Sequence, residues 1–446
     1  MDPPLKTTLS TVTSLCNCTK KQKLDQRQPN AISRSSADVK MKRMMSFEEE
    51  IPTDVFDDIF FRLPMKTLVR FRCVSKPWLR LITYSRFPYR LLNRQLCCDH
   101  SSTDCKHNEP IIIFSHNQRN SDGSGTKLFA IGGGYEEDSF RLAQGIEFSL
   151  FQGKDFEIMT NSCDGMLCLA IKEEKILVLW NPSTREHRAL PLTTDSGICG
   201  GVCGLGFDSK TDDYKVVSVV GKQVYVFSLK RNSWRYIGES PYPLHMGIPA
   251  NGYLYWGAGE ITNSFANRIV CLDLSDDTFR EVQLPSSNDL VQSVGVGQTT
   301  PEVGFYLLTW SGALFAYREQ DQSVWMLKEV QERDTAVVMA GEEGTSATGV
   351  KHVWTKLMNI PQIPNSKRRQ SARPPIYYKL YPKCFSKNGK LVMAVRGKRF
   401  ILYDPKEKSY EEYIVRGLDR GRCQKAIACV ESLISPNSIR GMNDID

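Results

Sequence analysis

The sequence lacks a long apolar run. No stretch of its 446 residues reaches the roughly 20 consecutive apolar residues that a membrane helix requires, and its start has no apolar core of a secretory signal. Without export, the fourteen cysteines are expected to be reduced thiols in the cytosol or nucleus. Cys168 and Cys271 lie within apolar strand patterns, which predicts that they are small core residues.

Signatures of catalysis are also missing. The six histidines share no motif, and the sequence has no H-E-x-x-H, no G-x-S-x-G and no G-x-x-x-x-G-K-(S/T). A glycine-rich loop that binds a dinucleotide is followed by a helix. The glycine run from Gly200 to Gly206 leads into an apolar strand instead, so it does not indicate a dinucleotide site. Glycines at the corner of a β-blade are the favoured interpretation. We expect no catalytic residue, no cofactor and no enzymatic activity.

A cluster of five possible metal ligands lies in a short segment: Cys97, Cys98, His100, Cys105 and His107. Zinc modules hold two ligand pairs apart across a longer loop, and this cluster lacks that spacing. A polar connector is favoured over a metal site, and we predict no bound metal.

Composition and charge set broad limits. Apolar residues make up 41% and charged residues 24%, and the length suits two or three domains, or one small and one large. A net charge of +8 is mild for this size. It favours acidic partners or weak non-specific contact with nucleic acid, and not dedicated nucleic-acid binding.

Residues 1–45 are polar, poor in acidic residues and almost without aromatic side chains. Such a segment cannot bury enough apolar surface to offset its ordering entropy, so we expect a disordered leader. An organelle transit peptide is an alternative that the same composition allows.

The stretch Ile51–Leu92 predicts three short helices. Thr53 is a suitable N-cap, Pro64 can end one helix and open the next, and Ser75 marks the start of a third. Apolar residues recur at helical spacing: Val55, Phe56, Ile59, Phe60, Leu63, Leu68, Val69, Phe71, Val74, Trp78, Leu81 and Ile82. About forty residues cannot enclose so many large side chains, which indicates a partner surface. Packing onto the following domain is the alternative.

These residues resemble an F-box. The match is carried by Ile51, Pro52, Asp54, Val55, Ile59, Phe60, Arg62, Leu63, Pro64, Lys66, Thr67, Leu68, Arg70, Phe71, Arg72, Val74, Ser75, Lys76 and Trp78. The resemblance implies an F-box over residues 46–93, a connector over 94–110, and docking to the Skp-type adaptor of an SCF ubiquitin ligase with its cullin and RING subunits. It also implies a location in the cytoplasm, the nucleus or both, which argues against a transit peptide.

The adaptor surface is assigned to nine apolar residues of this module. About half of them are expected to serve mainly internal packing, because helical apolar stripes more often form core than interface. The nine are Pro52, Val55, Phe56, Ile59, Leu63, Pro64, Leu68, Phe71 and Val74.

From Ile111 onward the sequence consists of short strand patterns separated by turns. A tight hairpin turn followed by a strand recurs at Asp164-Gly165, Asn251-Gly252, Ser311-Gly312 and Asn388-Gly389. An apolar strand ending in a bulky residue also recurs, and successive equivalent positions are separated by 47, 45, 55 and 76 residues. These positions are Trp180, Phe227, Leu272, Leu327 and Tyr403. Polar insertions at 331–349 and 361–375 explain the longest interval.

A period near 45 residues with about four strands per unit predicts a β-propeller over residues 111–436. A tandem of β-sandwiches would not repeat such a unit. Five blades are visible, and Ile111–Leu150 supplies three strands of a sixth, which the strand at 425–435 completes by closing the ring. Seven blades are the alternative if two of them have been counted as one. The predicted fold class is mainly β, a three-helix F-box followed by a propeller of four-stranded blades, with residues 437–446 as a tail.

The β region resembles the F-box-associated domain of plant F-box/kelch-type proteins. The resemblance is carried in order by NSCDGMLCLA, LVLWNPSTREHRALP, GLGFDSKTDDYKVV, NGYLYWGA, the pair VWMLKEV and VWTKLMNI, and VESLIS. It implies a substrate receptor whose F-box joins the ligase while the β domain binds the protein to be ubiquitylated. An F-box scaffold acting outside a ligase is the alternative, and a propeller enzyme of the galactose-oxidase kind is disfavoured because no copper-ligand set is visible.

A basic loop lies in the second insertion and contains Lys367, Arg368, Arg369 and Arg373. It is suited to an acidic partner or to nuclear import, but charge runs are more often simply solvated. The pattern identifies no substrate-binding residue.

Overall fold

The computed structural model describes most of the chain from residue 53 to residue 437. The described ranges are 53–84, 86–97, 110–120, 123–132, 143–146, 154–191, 200–258, 268–285, 305–331, 350–365, 377–386, 388–395, 399–416 and 421–437. The predicted leader at 1–45, the basic loop and the tail from 438 lie outside these residues. The chain divides into two compact units, one up to Ile82 and one from Thr83.

The first unit contains the predicted short helices, but Thr53, predicted as an N-cap, lies inside the first of them, and that helix ends at Phe60 and not at Pro64. The helices are α1 (Thr53–Phe60), α2 (Met65–Phe71) and α3 (Lys76–Tyr84), the last of which crosses the division between the units. Pro64 precedes α2 in an extended conformation, and its carbonyl accepts the amide N–H groups of Thr67 and Leu68. The Ser75 hydroxyl accepts the amide of Trp78 at 3.2 Å, which caps α3.

After the end of α3, the second unit has a helix that the sequence pattern did not predict, α4 (Phe87–Cys97), and its described residues then form 24 strands. They are β1 (Ile111–Asn120), β2 (Gly123–Gly132), β3 (Gln144–Ile146), β4 (Phe156–Ile158), β5 (Leu167–Ile171), β6 (Ile176–Trp180), β7 (His187–Ala189), β8 (Val202–Asp208), β9 (Asp213–Val220), β10 (Gln223–Ser228), β11 (Ser233–Glu239), β12 (Ile248–Ala250), β13 (Tyr253–Ala258), β14 (Arg268–Asp273), β15 (Phe279–Val282), β16 (Phe305–Trp310), β17 (Ala313–Arg318), β18 (Ser323–Gln331), β19 (Val350–Asn359), β20 (Leu380–Phe385), β21 (Leu391–Val395), β22 (Arg399–Asp404), β23 (Ser409–Ile414) and β24 (Gly421–Cys429).

These strands form six antiparallel four-stranded sheets, which confirms a propeller of six blades. Five blades are consecutive: β4–β7, β8–β11, β12–β15, β16–β19 and β20–β23. The remaining blade has the order β24-β1-β2-β3, with Ile113 opposite Ile427, so the last strand closes the ring as predicted. Closure pairs the two ends of the repeat and removes an exposed sheet edge.

The repeat found in the sequence corresponds to the third strand of each blade. Trp180, Phe227, Leu272, Leu327 and Tyr403 lie on β6, β10, β14, β18 and β22. The first insertion falls between β18 and β19, which pair directly, with Leu327 opposite Trp354. The Asn-Gly, Asp-Gly and Ser-Gly turns join the first strand of a blade to the second.

The core lies between the blades, where Trp180, Trp256 and Phe227 are completely enclosed. Cys168 and Cys271 are buried free thiols, as predicted. The first strands of successive blades contact one another, β8 with β12, β12 with β16 and β16 with β20. The first strands therefore surround the propeller axis, and the fourth strands form the outer rim.

The glycine run lies only partly at a corner. Gly200 and Gly201 precede β8, but Gly204 and Gly206 lie inside that strand. A Cβ at Gly204 would approach Leu254 to 3.0 Å, and one at Gly206 would approach Leu274 to 2.6 Å. These two glycines let the axial strand of one blade pack closely against the next blade, so the corner interpretation was wrong for them.

Helix α4 packs on the propeller. Leu92 is buried in the same cluster as Cys163, Tyr214 and Ile434, and Tyr89 packs against that cluster. No helix among the described residues is both long and apolar enough to cross a membrane.

Candidate functional site

The structure separates the nine predicted adaptor-binding residues by exposure. Ile59 and Val74 are exposed at 51% and 40%, and Pro64 is also exposed. Phe56, Leu63 and Phe71 are half-buried, and Leu68 is buried at 1%. Pro52 and the side chain of Val55 lie outside the described residues.

An aromatic cluster accounts for the buried side of the helices. The ring of Phe60, itself 2% exposed, lies 6.0 Å from Phe56, 6.0 Å from Phe71 and 5.2 Å from Trp78. Phe71 and Trp78 are 5.0 Å apart. Phe56 and Phe71 are thus brought together through Phe60, and with Leu68 they hold the helices to one another, the packing role expected for part of the set.

The exposed members lie where helices end. Ile59 is in the last turn of α1, Pro64 follows the half-buried Leu63 in the link to α2, and Val74 lies in the link to α3. Large apolar side chains exposed on a small module are suited to a partner surface. Which of them contact an adaptor stays a prediction.

The metal prediction concerns residues that are mostly outside the described part of the chain, since only Cys97, at the end of α4, belongs to it. Within the described ranges, no group of three or more His, Cys, Asp or Glu side chains could hold a metal ion. The basic loop at Lys367–Arg373 is likewise outside them.

A second site lies at one end of the propeller axis, in a cavity of about 510 Å³. Its wall is built from the tips of hairpins between first and second strands: Asp164, Asn251-Gly252 and Ser311-Gly312. The β8–β9 turn adds Ser209, and the end of β24 adds Cys429. Because the first strands surround the axis, turns from four blades and the end of the closing strand meet at this cavity. They come from segments that are far apart in the sequence.

Asp164 is firmly positioned in this wall. It and Gly165 have φ of 51° and 81°, as a type I′ hairpin requires, and Cys163 and Met166 exchange backbone hydrogen bonds across the turn at 3.0 and 2.8 Å. The Tyr214 hydroxyl donates to Asp164 Oδ2 at 2.7 Å. Burial, together with the neighbouring Asp164 carboxylate, holds the pKa of Tyr214 well above its usual range, so the phenol remains a neutral donor.

The segment after β24 closes the same end of the propeller. Asn181, fully buried, donates from Nδ2 to the carbonyls of Ser432 at 3.1 Å and Ile434 at 2.7 Å. The Ser432 hydroxyl donates to the carbonyl of Asp164 at 2.5 Å. A Cβ on Gly165 would clash with Ser432 Oγ and lie 2.8 Å from the carbonyl oxygen of Val430, so this position needs glycine for space as well as for φ.

A buried ion pair fixes the β8–β9 turn. Lys215 Nζ lies 2.8 Å from Asp208 Oδ2, with side-chain exposures of 8% and 1%, and it also donates to the carbonyl of Leu274 in the next blade. Burial acts to raise the pKa of Asp208, but hydrogen bonds from Lys215 and Thr211 outweigh it and lower the pKa. The pair joins two blades beside the cavity.

Three of the four glycine turns that mark the fold in the sequence line the cavity. Their residue types alone did not predict a site there. A propeller brings equivalent turns of successive blades to one end of its axis, so the repeat itself was the signal that could have found the site.

Two family models match this chain, one over the helical part and one over the propeller. The model of the F-box domain matches residues 49–90, and the model of the F-box associated beta propeller domain matches residues 139–427. Together these domains indicate an F-box protein of the adaptor type, which is non-catalytic. The chain belongs to the family with an F-box associated beta propeller domain.

Similar proteins come from Arabidopsis thaliana. An F-box/kelch-repeat protein is 24% identical, over 72% of this chain and 82% of its own length. The F-box protein CPR1 is 29% identical, over 74% of this chain and 77% of its own length. Among solved structures, a chain from a nidogen/laminin complex has a TM-score of 0.40 at 10% identity, covering 72% of this chain and 99% of that one, a level too low to bear on function.

Proposed function

We propose that this protein is the substrate-recognition subunit of an SCF-type E3 ubiquitin ligase. The F-box docks to the Skp-type adaptor, which connects it to the cullin and RING subunits, and the propeller binds the protein to be ubiquitylated. The observation that carries the proposal is an F-box with exposed apolar residues at its helix ends, in one chain with a closed propeller.

Such a subunit needs no catalytic group of its own. Ubiquitin transfer takes place on partner subunits, and the receptor accelerates it by holding the substrate near them at high effective concentration. The physical requirements are an adaptor surface and a rigid binding face. Short interior strands linked by tight turns supply that rigidity.

The test is reconstitution of the full chain with a Skp-type adaptor and a cullin, followed by size-exclusion chromatography. We expect all three to co-elute, and the double variant Leu63→Ala, Pro64→Ala to lose the adaptor while its thermal unfolding still shows a folded propeller. Retention of the adaptor by the variant would reject the docking surface.

The same experiment separates the alternative of an F-box scaffold acting outside a ligase. Co-elution of adaptor without cullin would support the scaffold, because a ligase subunit must reach cullin through the adaptor. We place the protein in the cytoplasm, the nucleus or both, where such ligases act. Imaging of a fluorescent fusion that showed it in plastids or mitochondria would contradict this.

A further inference from the structure

We propose that the axial cavity is the substrate-binding site and that it accepts a lysine or arginine side chain of a protein segment. This inference rests on the proposed function, since it names the substrate class that the propeller recognises. It starts from the position of the cavity, where the hairpin tips of several blades meet.

The size of the cavity suits a ligand. Its volume of about 510 Å³ falls within the range of about 300–1,000 Å³ typical of ligand pockets. It can therefore hold one long side chain and the main-chain atoms on either side of it.

The charge of the wall favours a cation. Asp164 is the single acidic residue among the described residues that line the cavity, and no lysine, arginine or histidine is among them. This contrasts with the chain as a whole, which has a net charge of +8. A carboxylate in a recess attracts a cationic side chain and repels an anionic one.

The two thiols in the wall add no negative charge. Burial, and then the nearby Asp164, raise the pKa of Cys163 well above its usual range. Burial raises the pKa of Cys429 to about 12, although a hydrogen bond from Ser162 opposes the shift. Both are neutral thiols at physiological pH, so among the described wall residues the negative charge is that of Asp164.

The remaining wall suits the rest of a basic side chain. Phe207, Tyr253 and Trp310 offer aromatic surface, against which an aliphatic stem packs and a guanidinium or ammonium group is attracted to the ring face. Asn251 and Ser311 bring polar atoms beside the same space. This combination of aromatic surface with one carboxylate is the composition that recognises lysine and arginine.

The carboxylate is positioned in advance. The hairpin backbone, the Tyr214 hydroxyl and the Ser432 contact each hold the Asp164 segment in place. A group held by its own structure loses little freedom when a ligand binds, so selectivity for charge does not depend on a rearrangement.

The test uses the full-length protein and a displayed library of random heptapeptides. Peptides selected on the wild type are synthesised, and their Kd values are measured by fluorescence anisotropy together with analogues in which each basic residue is replaced by glutamine. We expect one lysine or arginine to be required, with a loss of about tenfold or more in its glutamine analogue.

The deciding variant is Asp164→Asn, since asparagine tolerates the positive φ and still accepts the Tyr214 hydrogen bond. It should bind the basic peptides about tenfold more weakly and bind the glutamine analogues as the wild type does. The matched control is Asp212→Asn, which removes one negative charge at another residue of positive φ, in the β8–β9 turn, that does not line the cavity. Asp212→Asn should bind both the basic peptides and their glutamine analogues with the affinity of the wild type.

Three results would overturn the inference: selection of peptides without a basic residue, equal binding by Asp164→Asn, or selection of no peptide at all. Adaptor binding, measured on the same preparations, tests the proposed function separately from the peptide specificity. Asp164→Asn must retain the adaptor, and loss of adaptor binding by the wild type would reject the ligase proposal without touching the peptide result.

Discussion

In the propeller, Trp180, Trp256 and Phe227 are fully enclosed between blades, whereas Ile59 and Val74 of the helical unit have 51% and 40% of their surfaces exposed. The propeller has exposed apolar residues too, but Tyr236, Tyr410 and Ile414 lie on fourth strands at its outer rim. The difference follows from size and closure. A ring of six blades buries its own apolar faces, while about forty residues of helix cannot.

The comparison separates two kinds of mutation. Changes inside the propeller should lower its stability and leave adaptor affinity unchanged, and changes at the exposed helix ends should do the reverse.

The largest effect is expected at the buried ion pair. Asp208→Asn leaves the Lys215 ammonium buried without its carboxylate, which costs about 3 kcal/mol of unfolding free energy. Asp212→Asn removes the exposed pair with Lys230, 3.7 Å long, and should cost less than about 1 kcal/mol. Urea unfolding followed by tryptophan fluorescence measures both. Equal losses would show that burial of the pair does not matter.

The next effect concerns closure of the ring. Gly165 and Gly252 occupy equivalent turns with φ of 81°, but a Cβ meets Ser432 at Gly165 and nothing within 4 Å at Gly252. Gly252→Ala should therefore cost about 1 kcal/mol from backbone strain, and Gly165→Ala about 2 kcal/mol because the closing segment must also move. Equal urea midpoints for Gly165→Ala and Gly252→Ala would mean that the segment containing Ser432 contributes nothing to closure of the ring.

Much of the fold could be predicted from the sequence because its signals are local. Tight turns such as Asn251-Gly252 mark four blades, a bulky third-strand residue marks five, and Pro64 and Ser75 precede helices. Helix α4 was missed because Leu91 and Leu92 continue the apolar pattern of the F-box, and the sequence does not show that Leu92 packs on a blade.

The cavity depends on geometry that no spacing reveals. Asp164, Asn251 and Ser311 are far apart in sequence and meet only because successive blades rotate about one axis. Exposure was equally hidden, since Ile59 and Leu68 follow the same apolar periodicity, yet one is 51% and the other 1% exposed. Position in the assembled unit, and not residue type, decides which is available to a partner.

The central claim is that the exposed helix ends of the F-box bind the adaptor. The most direct measurement is the affinity of full-length Ile59→Lys and Ile414→Lys for a Skp-type adaptor by isothermal titration calorimetry, since the two isoleucines are 51% and 48% exposed and receive the same charge. We predict that Ile59→Lys loses about 2 kcal/mol or more of binding free energy and that Ile414→Lys matches the wild type. Adaptor affinity unchanged in Ile59→Lys, or lost equally in both variants, would contradict the account.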